Sequence, residues 1–194
     1  MLQFFNSDIT RWNVSNVTDF ANVFANTALF NQDISSWNLS NATTTKNMFG
    51  SSIFNRDISS WNLSNVTEMT GMFRNSQFNQ NISSWNVTKV TDMTNMFLNN
   101  TVFNQDIRNW NVSSSTVTTN IFNNATAMNT LYSDFINASG ITDTFFRSIF
   151  TFNNNNIKQA LTDYTTDTTN GSLKYGSIST WELHNVTSMS QLFT

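Results

Sequence analysis

Five tryptophans keep one register. Trp12, Trp37, Trp61, Trp85 and Trp110 follow one another at steps of 25, 24, 24 and 25 residues. Two phenylalanine rows keep the same steps: Phe5, Phe30, Phe54, Phe78 and Phe103, and Phe24, Phe49, Phe73, Phe97 and Phe122. Three aromatic rows in common register define an internal repeat. A period of about two dozen residues belongs to chains that stack copies of one unit against each other. The third copy reads FNRDISSWNLSNVTEMTGMF and the fourth FNQNISSWNVTKVTDMTNMF. A later copy, YGSISTWELHNVTSMSQLF, carries Trp181 and Phe193.

Each copy divides in two. The first half, such as Ile58-Ser59-Ser60-Trp61-Asn62-Leu63, reads as a short strand with a turn at each end. In the second half Met69, Met72 and Phe73 are spaced i, i+3, i+4, one face of a short helical turn. Thr67-Glu68, like Thr18-Asp19 and Thr91-Asp92, supplies a hydroxyl and then an acid at the start of that turn. One copy cannot bury its own aromatic face; stacked copies, with strands about 4.8 Å apart, can. The expected fold is an α/β repeat solenoid, a short strand plus a short helical turn per unit, with a helical interruption. Its core columns would be Trp12, Trp37, Trp61, Trp85, Trp110 and Trp181, with Phe24, Phe49, Phe73, Phe97, Phe122 and Phe193.

The unit FNQDISSWNLSNATTTKNMF and its sisters resemble the BspA-like leucine-rich-repeat surface proteins and the related repeat of mycoplasma surface lipoproteins. Similar arrays occur in algal and giant-virus proteins. The resemblance covers Phe5–Phe122 and Tyr175–Phe193, about two thirds of the chain. It implies a cell-surface or virion-associated protein, used for adhesion or without assigned activity, and it brings no catalytic residues. The chain lacks the family's lipobox cysteine. Its start, MLQFFNSDITRW, has no basic segment followed by an apolar one, so no signal peptide is read in this chain.

Between Phe122 and Tyr175 the repeat lapses. Ile157, Ala160, Leu161 and Tyr164 follow an amphipathic spacing, with Asn155 or Asn156 as cap. Phe145, Phe146, Ile149 and Phe150, after Asp143, mark another helix. A shorter one runs through Ala127–Ile136, ended by Gly140, and TTDTTNG (165–171) reads as a turn. The expected organisation is a repeat array over 1–126, a helical cap and connector over 127–172, and the first unit of a second array over 173–194. The rival is one continuous solenoid with an insertion.

Chemistry is sparse. Charged residues make up 11% of the chain and the formal net charge is −3. The basic residues are scattered, which argues against nucleic acid as partner. No apolar run is long enough to insert in a membrane. There is no cysteine, so disulfides and thiolate metal sites are excluded. Asp8, Asp33, Asp57 and Asp106 form a column that Asn81 interrupts. Each is expected to accept backbone N–H bonds within its own turn. The sharper alternative is a calcium ladder, disfavoured because no second acidic column runs beside it. His184 stands alone, no Ser/His/Asp set or G-x-S-x-G elbow occurs, and five glycines form no phosphate loop. The sequons at Asn13, Asn16, Asn38, Asn41, Asn62, Asn65, Asn86 and Asn111 recur with the repeat itself, so hydrogen bonding along the stack accounts for them.

The expected function is a non-enzymatic structural or interaction module, surface- or virion-associated, such as a minor structural component of a virus particle. It would need no cofactor and would meet other protein chains through open solenoid ends or a lateral face. A glycan- or cation-binding adhesin using an exposed face is the alternative, and an exposed tryptophan column would favour it. Ice binding through the Ser35-Ser36, Ser59-Ser60 and Ser83-Ser84 pairs is weakened by Thr10-Arg11 and Arg108-Asn109 at the same positions. Met1–Phe5 begins almost directly on a repeat phenylalanine and Leu192-Phe193-Thr194 stops within a copy, so both ends are expected to be open.

Overall fold

The computed structural model describes residues 3–137, 140–142, 145–147, 157–166 and 186–188. The chain forms two compact units, Met1–Arg147 and Ser148–Thr194. Residues 127–147, expected within the connector, group with the repeats in the first unit.

The first unit contains five coils, 5–29, 30–53, 54–77, 78–102 and 103–125, each one copy of the repeat. Parallel bridges join them in series: Asp19 to Thr44, Thr44 to Glu68, Glu68 to Asp92, and Asp92 to Val117. At each joint four backbone bonds run from one coil to the next, and a fifth runs back, as from Thr67 N–H to Thr43. Between the second and third, the N–H groups of Thr45, Asn47, Phe49 and Ser51 donate to the carbonyls of Glu68, Thr70, Met72 and Arg74, at 2.8–3.0 Å. The same pattern recurs at the other three joints.

The local structure of a coil differs from the expected strand plus helical turn. In the second half, alternate N–H groups point to the next coil and the intervening ones close i→i−3 turns, such as Met48 to Thr45 and Gly50 to Asn47. This alternation needs left-handed residues at fixed places. They are Asn22 and Asn26, Asn47 and Ser51, Gly71 and Asn75, Asn95 and Asn99, and Asn120 and Asn124, with φ between 49° and 61°. Asparagine and glycine tolerate that conformation, and a helix cannot pass through it. The i, i+3, i+4 spacing of Met69, Met72 and Phe73 therefore marks buried positions on a run of turns. The first half is two successive turns, closed by Trp61 N–H to Ile58 and Val66 N–H to Leu63. Asp57 and Asn62 accept the N–H groups of Ser59 and Ser64, diverting backbone donors from a strand ladder.

Inside the coils the aromatic rows stack. Phe49 lies 5.8 Å from Phe73, and Phe73 lies 5.6 Å from Phe97, ring centre to ring centre. Within coils two and three, Phe49 and Phe73 meet the phenylalanine that opens the next coil, Phe54 and Phe78, at 4.1 and 4.0 Å. The first and fourth coils place one residue more before that partner, yet Phe24–Phe30 and Phe97–Phe103 still stack at 4.0 and 4.1 Å. The extra residue is absorbed at the surface, so steps of 24 and 25 coexist.

After the fifth coil, α1 (Thr126–Leu131) and an antiparallel pair, β1 (Ile136–Asn137) with β2 (Gly140–Ile141), follow. The helix is shorter than the expected Ala127–Ile136. Ser133 and Asp134 follow its C-cap Tyr132, and residues of both types compete for backbone hydrogen bonds. Phe145–Arg147 forms one 3-10 turn. In the second unit, α2 spans Ile157–Thr166 and buries Ile157 and Ala160. The expected cap at Asn155 or Asn156, the helix residues Asp143, Ile149 and Phe150, most of the 165–171 turn, and the copy at 175–193 with Trp181, His184 and Phe193 lie outside the described residues, save 186–188.

Candidate interaction surface

The tryptophans divide into two groups. Trp37, Trp61, Trp85 and Trp110 are buried, and each indole N–H donates to the isoleucine carbonyl of the preceding coil: Ile9, Ile34, Ile58 and Ile82, at 3.0–3.3 Å. Trp12 departs from the expected core column, being 60% exposed. Among the described residues no coil precedes it to cover the ring. Val17 and Val23 are exposed as well, although their counterparts Val66 and Met72 are fully buried. Phe24, Phe49, Phe73, Phe97 and Phe122 are all buried.

The Asp column is engaged turn by turn. Asp8, Asp33 and Asp57 each accept the N–H two residues on, from Thr10, Ser35 and Ser59, at 2.9–3.0 Å. Asn81 makes the same bond to Ser83. The backbone bond from Thr10 lowers the Asp8 pKa, helped by the Thr10 hydroxyl. The Ser35 side chain and then its backbone lower that of Asp33; the Ser59 backbone and then its side chain lower that of Asp57. Among the described residues no group of three or more His, Cys, Asp or Glu side chains is arranged to hold a metal ion.

The sequons serve two different bonds. Asn13, Asn38, Asn62 and Asn86 accept the N–H two residues on. The side-chain amides of Asn41 and Asn65 donate to the carbonyls of Ser15 and Ser40 in the preceding coil, both at 2.8 Å. A further asparagine ladder was not singled out by sequence reasoning. The Oδ1 atoms of Asn6, Asn31, Asn55 and Asn79 accept from the backbone of Asn31, Asn55, Asn79 and Asn104 in turn. The recurring Phe-Asn pair that opens each copy was its signal. On the outer edge Asn99 donates to Asn75, and Asn124 to Asn99, at 2.8 and 2.9 Å.

The fifth coil carries a buried cation. Arg108 is 4% exposed, forms two bonds to Asp106 at 2.9 and 2.7 Å, and lies 5.0 Å above the Tyr132 ring. Burial pushes the Tyr132 phenol up. Phe146 stacks on Trp110 at 6.3 Å, close to the 6.2 Å between Trp85 and Trp110, and Phe145 covers Phe122. Residues after the fifth coil thus occupy the place of a next coil over the aromatic columns. They leave a cleft of about 470 Å³ beside the outer edge, lined by Asn120, Phe122, Asn124, Asn129, Ile136 and Ile141 among others.

These features define a repeat protein whose coils are joined by backbone, amide and ring contacts. The family model described as "Mycoplasma protein of unknown function, DUF285" matches residues 1–76 and 50–164, and the chain belongs to that family. No curated protein and no solved structure matches it.

Proposed function

We propose that this chain is a non-enzymatic structural and interaction module: a leucine-rich-repeat-like solenoid acting as a scaffold on a cell surface or virus particle. The observation that carries the reading is the use made of its conspicuous side chains. The four buried tryptophans, the phenylalanine columns and the asparagine ladders all hold coil to coil. Among the described residues, what remains outside is mostly polar, with Trp12, Leu29, Ile53 and Val117 among the exposed apolar side chains. A glycan-stacking adhesin would draw on the tryptophan column, of which only Trp12 is open among the described members. A calcium-dependent one would draw on aspartates that already serve their own turns.

Membership in a family of unknown function leaves the role to experiment. Intact source cells or particles should be treated with protease and, separately, with a lysine-reactive cross-linker, and peptides of this chain sought by mass spectrometry. Release of its peptides from intact material, and cross-links to other structural proteins, are expected. Full protection together with a complete absence of protein cross-links would overturn the reading. So would a substrate whose turnover a single substitution abolishes.

A further inference from the structure

One corner of the coil keeps the same pair of residues in all five copies. Asn13, Asn38, Asn62, Asn86 and Asn111 hold one position, and Ser15, Ser40, Ser64, Thr88 and Ser113 follow two residues later. All five asparagines are exposed. In the first four, Oδ1 accepts the N–H two residues on, at 3.0–3.2 Å. The side-chain nitrogen of each meets no acceptor among the described residues.

The turn requires less than this. It uses one side-chain oxygen and one backbone N–H, and in the same coils Asp8, Asp33 and Asp57 make that bond with a carboxylate. The Asp column varies, with Asn81 in the fourth coil and Arg108 two residues after Asp106 in the fifth. The Asn13 column does not. Ser40 and Ser64 close their turns through the backbone N–H alone, so their hydroxyls are surplus to the turn. In the fifth coil Asn111 makes no turn bond to Ser113, yet amide and hydroxyl are both kept. A second row contrasts with the first. Asn41 and Asn65 donate their side-chain nitrogens to the preceding coil, and the hydroxyls of Thr43 and Thr67 do the same. That row gives way to Lys89 and Ser114 in the last two coils. What stays constant in the first row is Asn-x-Ser/Thr on an exposed turn, the pattern a sequon-reading glycosyltransferase recognises.

We infer that Asn13, Asn38, Asn62, Asn86 and Asn111 form a row of attachment sites for N-linked sugar. The transfer joins Nδ2 to the anomeric carbon of a sugar carried on a lipid diphosphate. Nδ2 loses one proton and the lipid diphosphate leaves. In the first four coils Oδ1 keeps its turn bond throughout, so the folded coil accepts the sugar without giving up a contact. Asn41 and Asn65 stay bare, because a sugar on their nitrogens competes with the joint to the preceding coil. A bulky, solubilising group also suits a chain in which only 11% of residues are charged. This inference rests on the surface reading proposed above, since sequon-directed transfer acts on exported chains, and it names what that surface carries.

Mass spectrometry of the full chain recovered from source cells or particles tests it, with electron-transfer fragmentation placing each sugar on its residue. Sugar is expected on the Asn13 column and not on Asn41 or Asn65. A bare column overturns the inference, and so does equal occupancy of the two rows. Ser64→Ala removes the recognition hydroxyl but spares the turn, which closes through the Ser64 backbone N–H. Expressed in the source, this variant should lose sugar at Asn62, keep it at Asn38 and Asn86, and melt like wild type. Ser64→Thr, which restores the hydroxyl, should keep sugar at all three. Sugar that persists on Asn62 in Ser64→Ala, or is lost from it in Ser64→Thr, overturns sequon-directed attachment. Bare asparagines on a chain that protease still releases and that still cross-links to other proteins on intact material would leave the scaffold reading standing while this inference falls.

Discussion

Replacing Trp61 by alanine measures how much of the stack depends on one ring. Trp61 is 3% exposed, packs 6.2 Å from Phe49, and bonds the Ile34 carbonyl at 3.1 Å. Truncating a large buried aromatic costs about 3–5 kcal/mol, the cavity included. The Ile34 carbonyl keeps a second donor, the Trp37 N–H at 3.1 Å, so loss of the indole bond adds little to that cost. For a chain of this length, each kcal/mol lowers the thermal midpoint by roughly 2–4 °C, so a fall of about 6–20 °C is expected. Trp12→Ala is the internal control: the same residue at the same repeat position, but 60% exposed and outside the joints. It should lie within about 0.5 kcal/mol of wild type. Calorimetry gives the midpoints. Amide exchange should locate the loss in coils two to four, since each coil touches only its neighbours. Equal shifts for the two variants, or a Trp61→Ala protein that melts like wild type, would refute the burial argument and restore the tryptophan-face adhesin.

Gly71 holds φ of 61°, and a Cβ there would press on the Asn47 amide, so Gly71→Ala should cost about 1–2 kcal/mol in a urea titration, and Gly71→Asn less. The Asp57 pKa is depressed from 3.8 by hydrogen bonds to Ser59, so its stabilising contribution is complete above that value and fades as pH falls through the depressed one. Asp57→Asn, which copies the natural Asn81, should flatten the acid limb of the stability curve, and EDTA should leave the wild-type midpoint unmoved; a fall reversed by calcium would revive the metal ladder. Arg108→Ala should loosen α1 and its neighbours, read as faster amide exchange there. Its cost should be about 2–3 kcal/mol, below that of a fully buried pair because Asp106 is one-third exposed.

The repeat, its period and most of its core rows were legible because aromatic residues in register have few other uses. Local geometry was harder to read. Met69, Met72 and Phe73 carry helical spacing, but Gly71 and Asn75 bend the backbone left-handed around them, and apolar periodicity is blind to the sign of φ. The recurring Asn or Gly before each Met-Phe pair was the available signal. Trp12 shows a second limit: a repeat position predicts burial only when a neighbouring coil supplies the cover. Arg108 shows a third. In sequence it was a departure from a serine pair; its role depends on Tyr132, which lies in a segment without repeat.

The alternation of N–H groups, one inward to its own turn and the next outward to its neighbour, bears on how such a chain changes over generations. In an ordinary globular core, an inserted segment must be accommodated on every side at once. Here a whole copy can be gained or lost by unequal recombination, and each surviving junction meets the same partners as before. Even a copy one residue longer is tolerated, as the 4.0 Å contact of Phe24 with Phe30 demonstrates. Length becomes a freely adjustable property, like the number of rungs in a ladder, and selection can tune reach without redesigning any contact.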